Sequence, residues 1–247
     1  MLAANRDEFY DRPTAPAAFW SDVPGLFAGR DLRAGGTWLG VTRSRRVAAL
    51  TNQREPSARV AGAPSRGGLV VEFLKGREGC EEFLARLAPR AERYAGFNLL
   101  LYDGDSLWSF ANGDGTAARL SPGLYGLSNH LLETPWPKVV KTKARLARLL
   151  EEPHAPAAWA LLMILSDRTR AADDQLPKTG VPLEWERILS APFIVSDTFG
   201  TRSSTAIVIG PDGAVHFTER SFGPAGEATG TVEEMFPTTT AGAPRPG

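Results

Sequence analysis

The stretch MLAANRDEFYDRP, residues 1–13, sets how the rest of the sequence is read. An apolar lead-in, Leu2-Ala3-Ala4, runs straight into Asn5-Arg6-Asp7-Glu8, and Phe9-Tyr10 close the segment. A surface loop would account for the charges but not for the apolar flanks. The flanks fit a strand, and a strand that ends in adjacent Arg and Asp must give those groups solvent or partners, because an unpaired buried charge is costly.

Outward from this strand, a Pro-rich connection (Pro13, Pro16, Pro24) leads to Thr37–Val41 and Val47–Thr51, which flank a short polar turn and read as a hairpin. Gly35-Gly36, just before Trp38, allows a bulge or a backbone approach that a side chain would block. From Ser65 the period changes: Leu69, Val70, Phe73 and Leu74 share a helical face, and EEFLARLAPRAERY continues helical until Pro89 interrupts it. FNLLLYDGDSLWSFANGDG returns to strand, with Asp103-Gly104 as the turn. A further strand is expected over Gly123–Leu127.

Pro137 suits the first turn of a helix. Val139, Val140, Leu146, Leu149 and Leu150 form its apolar face, and Lys138, Lys141, Lys143, Arg145 and Arg148 read as its solvated side. Helices over Trp159–Leu165 and Leu183–Leu189 come next. STAIVIGPDGAVHFTERSF is a hairpin turned at Pro211-Asp212-Gly213. Strands, helices, strands, helices and strands in this order, joined by hairpins, predict an α+β fold of antiparallel sheets with helices on the outer faces. Residues 1–236 read as one domain, and residues 237–247 as a disordered tail too poor in apolar residues to fold.

Twenty-eight basic residues balance twenty-eight acidic ones, so no net field draws the chain to nucleic acid or to an acidic membrane. The most apolar stretch, Ala155–Leu165, is too short to span a bilayer, and no signal segment precedes Asn5; a cytoplasmic protein is the expectation. A lone Cys80 rules out an internal disulfide and a multi-cysteine metal site.

Polar clusters stand at four strand ends: Asn5–Glu8, Thr51–Arg54, Ser128–His130 and Gly200–Thr205. Each alone is accounted for by capping or turn formation; together they suggest one pocket held on a rigid scaffold. Arginine pairs carboxylates through two parallel hydrogen bonds, and asparagine amides donate to a developing oxyanion. The clusters lack an activated nucleophile. Cys80 lies among acids that raise a thiol's pKa, and none of the three histidines sits in a motif that would make it the base for Ser203, Ser204 or Thr205. His130 has no spaced second ligand. Trp38, Trp108 and Trp136 read as core or rim aromatics.

NRDEFYDRPT, GRDLRAGGTWLGV, ALTNQRE, GFNLLLYDG, GLSNHLLETPWPKV, LPKTGV and FGTRSST, in this order, resemble the NRDE family, also called the Transport and Golgi organization family, over residues 2–222. The resemblance implies a four-layer αββα sandwich similar to the N-terminal nucleophile (Ntn) hydrolases, in the branch that uses an N-terminal cysteine on amide or ester acyl groups. In that branch an arginine and an aspartate on the next strand position the nucleophile, and Arg6 and Asp7 resemble these two. Asn52 and Asn129 resemble the asparagines of the oxyanion and substrate contacts, and Arg202 a late arginine packed against the nucleophile. The resemblance thus predicts that Arg6, Asp7, Asn52 and Arg202 converge.

Family members usually begin Met-Cys, then a hydrophobic strand and a turn before the strand that ends in NRDE. The expectation is therefore a truncated sheet, with the first strand at an exposed edge, the nucleophile absent and the chain inactive as given; a start lying upstream is the favoured explanation, and a real shortening that leaves a binding or decaying protein is the alternative. No cofactor is expected; the partner is a small-molecule substrate or ligand. The alternative reading is a non-catalytic carrier of a small hydrophobic ligand such as haem or an acyl-lipid.

Overall fold

A computed structural model describes residues 1–54 and 62–237. Beyond Pro237 the expected tail lies outside the described residues. Two sheets form among those residues, and all of their ladders are antiparallel. The first holds β1 (Leu2–Phe9), β9 (Phe199–Ile209), β10 (Val215–Phe222) and β11 (Ala228–Phe236), in that order. The second runs in sequence order through β2 (Thr14–Phe19), β3 (Leu26–Asp31), β4 (Leu39–Thr42), β5 (Val47–Asn52), β6 (Phe97–Tyr102), β7 (Leu107–Ala111) and β8 (Thr116–Leu120). The helices are α1 (Gly67–Lys75), α2 (Cys80–Leu87), α3 (Pro137–Leu150), α4 (Ala158–Leu165) and α5 (Leu183–Leu189). The fold is α+β, and no described helix is long and apolar enough to cross a membrane.

Side-chain alternation along the strands decides what packs where. Leu26, Ala28, Ala48, Leu99 and Leu101 point from the seven-stranded sheet onto Leu69, Val70 and Phe73 of α1 and Phe83, Leu84 and Leu87 of α2. Phe27, Leu39, Val41, Val47 and Ala49 leave the opposite face and meet Ile207, Val215, Phe217 and Phe236 of the four-stranded sheet. The outer face of that sheet, through Ala3, Ala206 and Val208, packs on Leu161 and Leu162 of α4 with Leu146 and Leu149 of α3. Glu219 joins the two sheets: its carboxylate accepts from Ala17 N of β2 at 2.8 Å and from Thr205 Oγ1 of β9 at 3.2 Å.

Several expectations are corrected. The Pro-rich connection contains two strands, β2 and β3. Pro16 fits because the β2–β3 register shifts between Ala15 and Ala18, so its missing N–H costs no ladder bond. Gly123–Leu127 is loop, not strand: Gly126 exchanges hydrogen bonds with Glu133, its N reaching Oε1 at 2.5 Å and its O accepting from Glu133 N at 2.9 Å. Val140 and Leu150 are exposed, so the buried face of α3 is narrower than its apolar pattern. The polar edge strands β8 and β11 carry little apolar alternation and went unread. Helical structure does not stop at Pro89; it tightens into a 3-10 turn, Ala88–Arg93, with the proline in its first turn.

Candidate functional site

β1 pairs only with β9 and is therefore an edge strand. Around that edge opens a cavity of about 1550 Å³ that reaches Arg6, Asp7, Asn52, Asn129 and Lys138, and its apolar wall includes Leu2, Leu100, Leu120, Leu146, Ile207 and Ile209. Adjacent residues of a strand face opposite ways, so Arg6 and Asp7 reach the cavity from opposite faces of β1. Arg6 lies toward the space between the sheets, and Asp7 toward the α3 layer.

Arg6 is 8 % exposed, and its guanidinium carbon lies 4.3 Å from the centroid of the Trp38 ring. Gly29 on β3 makes room for that indole: a Cβ there would meet Trp38 at 2.5 Å. The carboxylate of Glu8 is 3.9 Å from Arg6 Nη2, too far for a hydrogen bond. Arg6 Nη1 is buried with no hydrogen-bond partner, and so is Oγ of Ser203, its cross-strand partner on β9. Burial lowers the Arg6 pKa to about 10, against the opposing pull of Glu8 and Asp31. Unpartnered buried polar groups of this kind are scarce in folded proteins.

Asp7 follows a break in the β1–β9 register, where Arg6 pairs with Ser203 and Asp7 with Thr201. Thr201 Oγ1 donates to Asp7 Oδ1 at 2.7 Å and accepts from Ile194 N at 2.9 Å, which fixes the carboxylate. Burial raises the Asp7 pKa, opposed chiefly by the charge of Lys138 and the Thr201 bond.

Arg202 is the residue left over in that register break. It does not line the cavity with the others: its Nη1 donates to the carbonyls of Phe9, Tyr10 and Arg12, at 2.9, 3.2 and 3.2 Å, and so holds the turn that follows β1. Asn52 and Asn129 are brought together. Asn129 Nδ2 donates to Asn52 O at 3.0 Å, and Asn129 O accepts from Arg54 N at 2.6 Å. Asn5 serves packing, its amide reaching Leu165 O and Pro192 O at 3.0 and 2.8 Å.

Lys138 and Glu186 have no part in the expected pocket, and Arg54 enters it only as a member of the Thr51–Arg54 cluster. Lys138 was assigned to the solvated side of α3, yet it lines the cavity. Burial lowers its pKa to about 8, with Asp7 pulling the other way. Arg54 and Glu186 form a buried ion pair at 2.8 Å, and Arg54 stacks at 4.7 Å from the Trp136 ring centroid. Glu186 also accepts from Thr179 N and Oγ1, at 2.9 and 2.6 Å, which fastens the LPKTGV segment to the site. Partner identity across more than a hundred residues of sequence separation leaves no local signal.

Cys80 stands apart, buried at the start of α2 with its N–H on Asp103 Oδ2 at 3.0 Å. Burial first, and then the Asp103 carboxylate, push its thiol far up, so it is inert as a nucleophile. His130 Nδ1 lies 2.9 Å from Thr134 Oγ1, and among the described residues no group of three His, Cys, Asp or Glu could hold a metal ion.

A sequence profile described as Transport and Golgi organisation 2 matches residues 1–224. The Transport and Golgi organization protein 2 homolog of Bos taurus is 38 % identical over 239 residues, covering 90 % of this chain and 86 % of the relative. The Mus musculus homolog is 35 % identical over 241 residues, with the same two coverages. The Transport and Golgi organization protein 2 of Drosophila melanogaster is 27 % identical over 254 residues, 90 % of this chain and 85 % of the relative. On the extent of that match, and with the NRDE segment forming the edge strand of the cavity, the chain belongs to the Transport and Golgi organisation 2 (NRDE) family.

Proposed function

We propose that this cavity processes acyl groups in the manner of an Ntn hydrolase or acyltransferase, acting on amide or ester bonds, and that the α–sheet–sheet–α order of packing is the four-layer sandwich of that class. The observation that carries the reading is a pair of orphaned buried atoms on cross-strand partners, Arg6 Nη1 on the edge strand β1 and Ser203 Oγ on β9. A cysteine brought to that edge would meet a guanidinium that favours its thiolate. Its α-amine, as base, would be placed by the fixed carboxylate of Asp7. The amide pair Asn52 and Asn129 supplies donors and dipoles for a tetrahedral oxyanion, and Arg202 holds the turn after β1.

The test is to extend the chain before Met1 with a Met-Cys-hydrophobic hairpin and to search for an acyl adduct by mass spectrometry with activated acyl esters. An adduct on the added cysteine supports the reading; a correctly folded extended protein that forms none with any probe contradicts it.

A second reading is favoured by the cavity itself, since about 1550 Å³ with apolar residues in its wall exceeds the volume usual for small-substrate pockets. In this reading the chain carries a bulky hydrophobic ligand such as haem or an acyl-lipid without reacting with it. Saturable binding that survives Arg6→Ala and Asp7→Ala, with no hydrolysis, supports the carrier; binding or turnover lost with either change supports the catalyst.

A further inference from the structure

α3 presents three lysines within its first two turns, and the structure treats them differently. Lys141 is ion-paired to Asp167 at 2.5 Å, and Lys143 is ion-paired to Glu133. Lys138 forms no ion pair among the described residues and instead lines the cavity, opposite the Asp7 carboxylate of β1. The charged groups that bear on it are Asp7, Arg54 from the end of β5 and Glu186 from α5. The last two are already committed to each other. Lys138 is also the second residue of a fourteen-residue helix, at the positive end of the helix dipole, where a cationic side chain is disfavoured.

A desolvated lysine amine in a cavity is the usual setting of a nucleophilic lysine. We propose that Lys138 is an acyl-acceptor site, at which activated acyl groups entering the cavity as esters or thioesters are transferred to the ε-amine. The amine nitrogen attacks the carbonyl carbon, a C–N bond forms, and the C–O or C–S bond to the leaving group breaks. The proton released from the nitrogen leaves with the alkoxide, phenoxide or thiolate, so the products are an amide and an alcohol, phenol or thiol. The resulting amide is uncharged, which removes a cation facing Asp7. This inference goes beyond the cysteine-based reading and needs no added residue.

The half-buried place of Lys138 in the cavity wall acts in the same direction, lowering the amine's pKa to about 8. Near neutral pH this raises the free-amine fraction over that of an ordinary lysine by roughly two to three hundredfold, part of which is offset by lower intrinsic nucleophilicity.

The chain has five lysines: Lys75, Lys138, Lys141, Lys143 and Lys178. The experiment treats the protein as it stands with 4-nitrophenyl acetate and follows each lysine by peptide mass spectrometry across a pH series. Lys138 is expected to be acetylated about tenfold faster than the other four at neutral pH, with a rate that levels off above a midpoint near 8. The preference should vanish in urea. Acetylation of Lys138 no faster than that of the other lysines, or a Lys138 rate still climbing as theirs do at high pH, would overturn the proposal. Because no cysteine is added, the result is separate from the outcome of the extended-chain test.

Discussion

Arg6 and Asp7 are neighbours in sequence that face opposite sides of one strand. The guanidinium stacks on Trp38, a contact worth about 0.5–2 kcal/mol, and the carboxylate is held by Thr201. For an acid whose pKa is raised in the fold, the unfolded chain ionises first as pH rises. Asp7 therefore costs nothing below the ordinary carboxylate value, about 4, and destabilises progressively as pH climbs through its raised folded value. Asp7→Asn keeps an oxygen to accept from Thr201 and removes the buried charge. The variant is expected to have a higher Tm than the parent at neutral pH, with the difference closing as the solution is acidified. Equal or lower Tm at neutral pH would show that Lys138 and Thr201 more than offset the burial of the charge. Lys138 itself was misplaced by its helix pattern. Periodicity separates faces of α3, but the first turn sits where the cavity wraps the edge of β1, so a nominally outward residue meets protein.

At the level of elements, two contacts between distant segments fix the shape of the site. Arg54 and Glu186 are almost fully buried, 7 % and 5 % exposed in their side chains. Glu186→Ala leaves a guanidinium without its counter-charge and is expected to cost about 3–5 kcal/mol, read as a fall in the denaturation midpoint. The second contact was legible in advance. Gly35-Gly36 was read as a place where backbones approach, and a Cβ on Gly36 would stand 2.6 Å from the carbonyl carbon of Gly67 at the start of α1. Gly36→Ala should therefore destabilise by about 1–3 kcal/mol. Gly68→Ala, one residue further along α1 with nothing within 4 Å of the new methyl, should stabilise by about 0.5–1 kcal/mol. The same reasoning explains which elements escaped notice. The hairpins β4–β5, β6–β7 and β9–β10 announce themselves by apolar runs around turn residues. β2, β8 and β11 are edge strands with exposed faces, where sequence is free to be polar and Pro16 can fit at a register shift.

Across the whole molecule, element order alone predicted antiparallel sheets under helices. The residues packed between the layers agree: one apolar cluster joins α1 and α2 to the larger sheet, one joins the two sheets, and one joins the smaller sheet to α3 and α4. Three of the four strand-end clusters of the sequence contribute residues to the cavity wall, while Gly200–Thr205 on β9 contributes none. Within that fourth cluster, Arg202 is the extra residue in the β9 ladder and turns its side chain to the carbonyls after β1; a register break has no signature in local composition. The central claim is that Arg6 and Asp7 position a nucleophile at the open edge of β1. The most direct test is single-turnover acylation of the chain extended with a Met-Cys hairpin, compared with the same chain carrying Asp7→Asn. The account predicts acyl transfer to the added cysteine that slows by about a hundredfold or more in the variant while the fold is retained. Equal rates in the two proteins would contradict it.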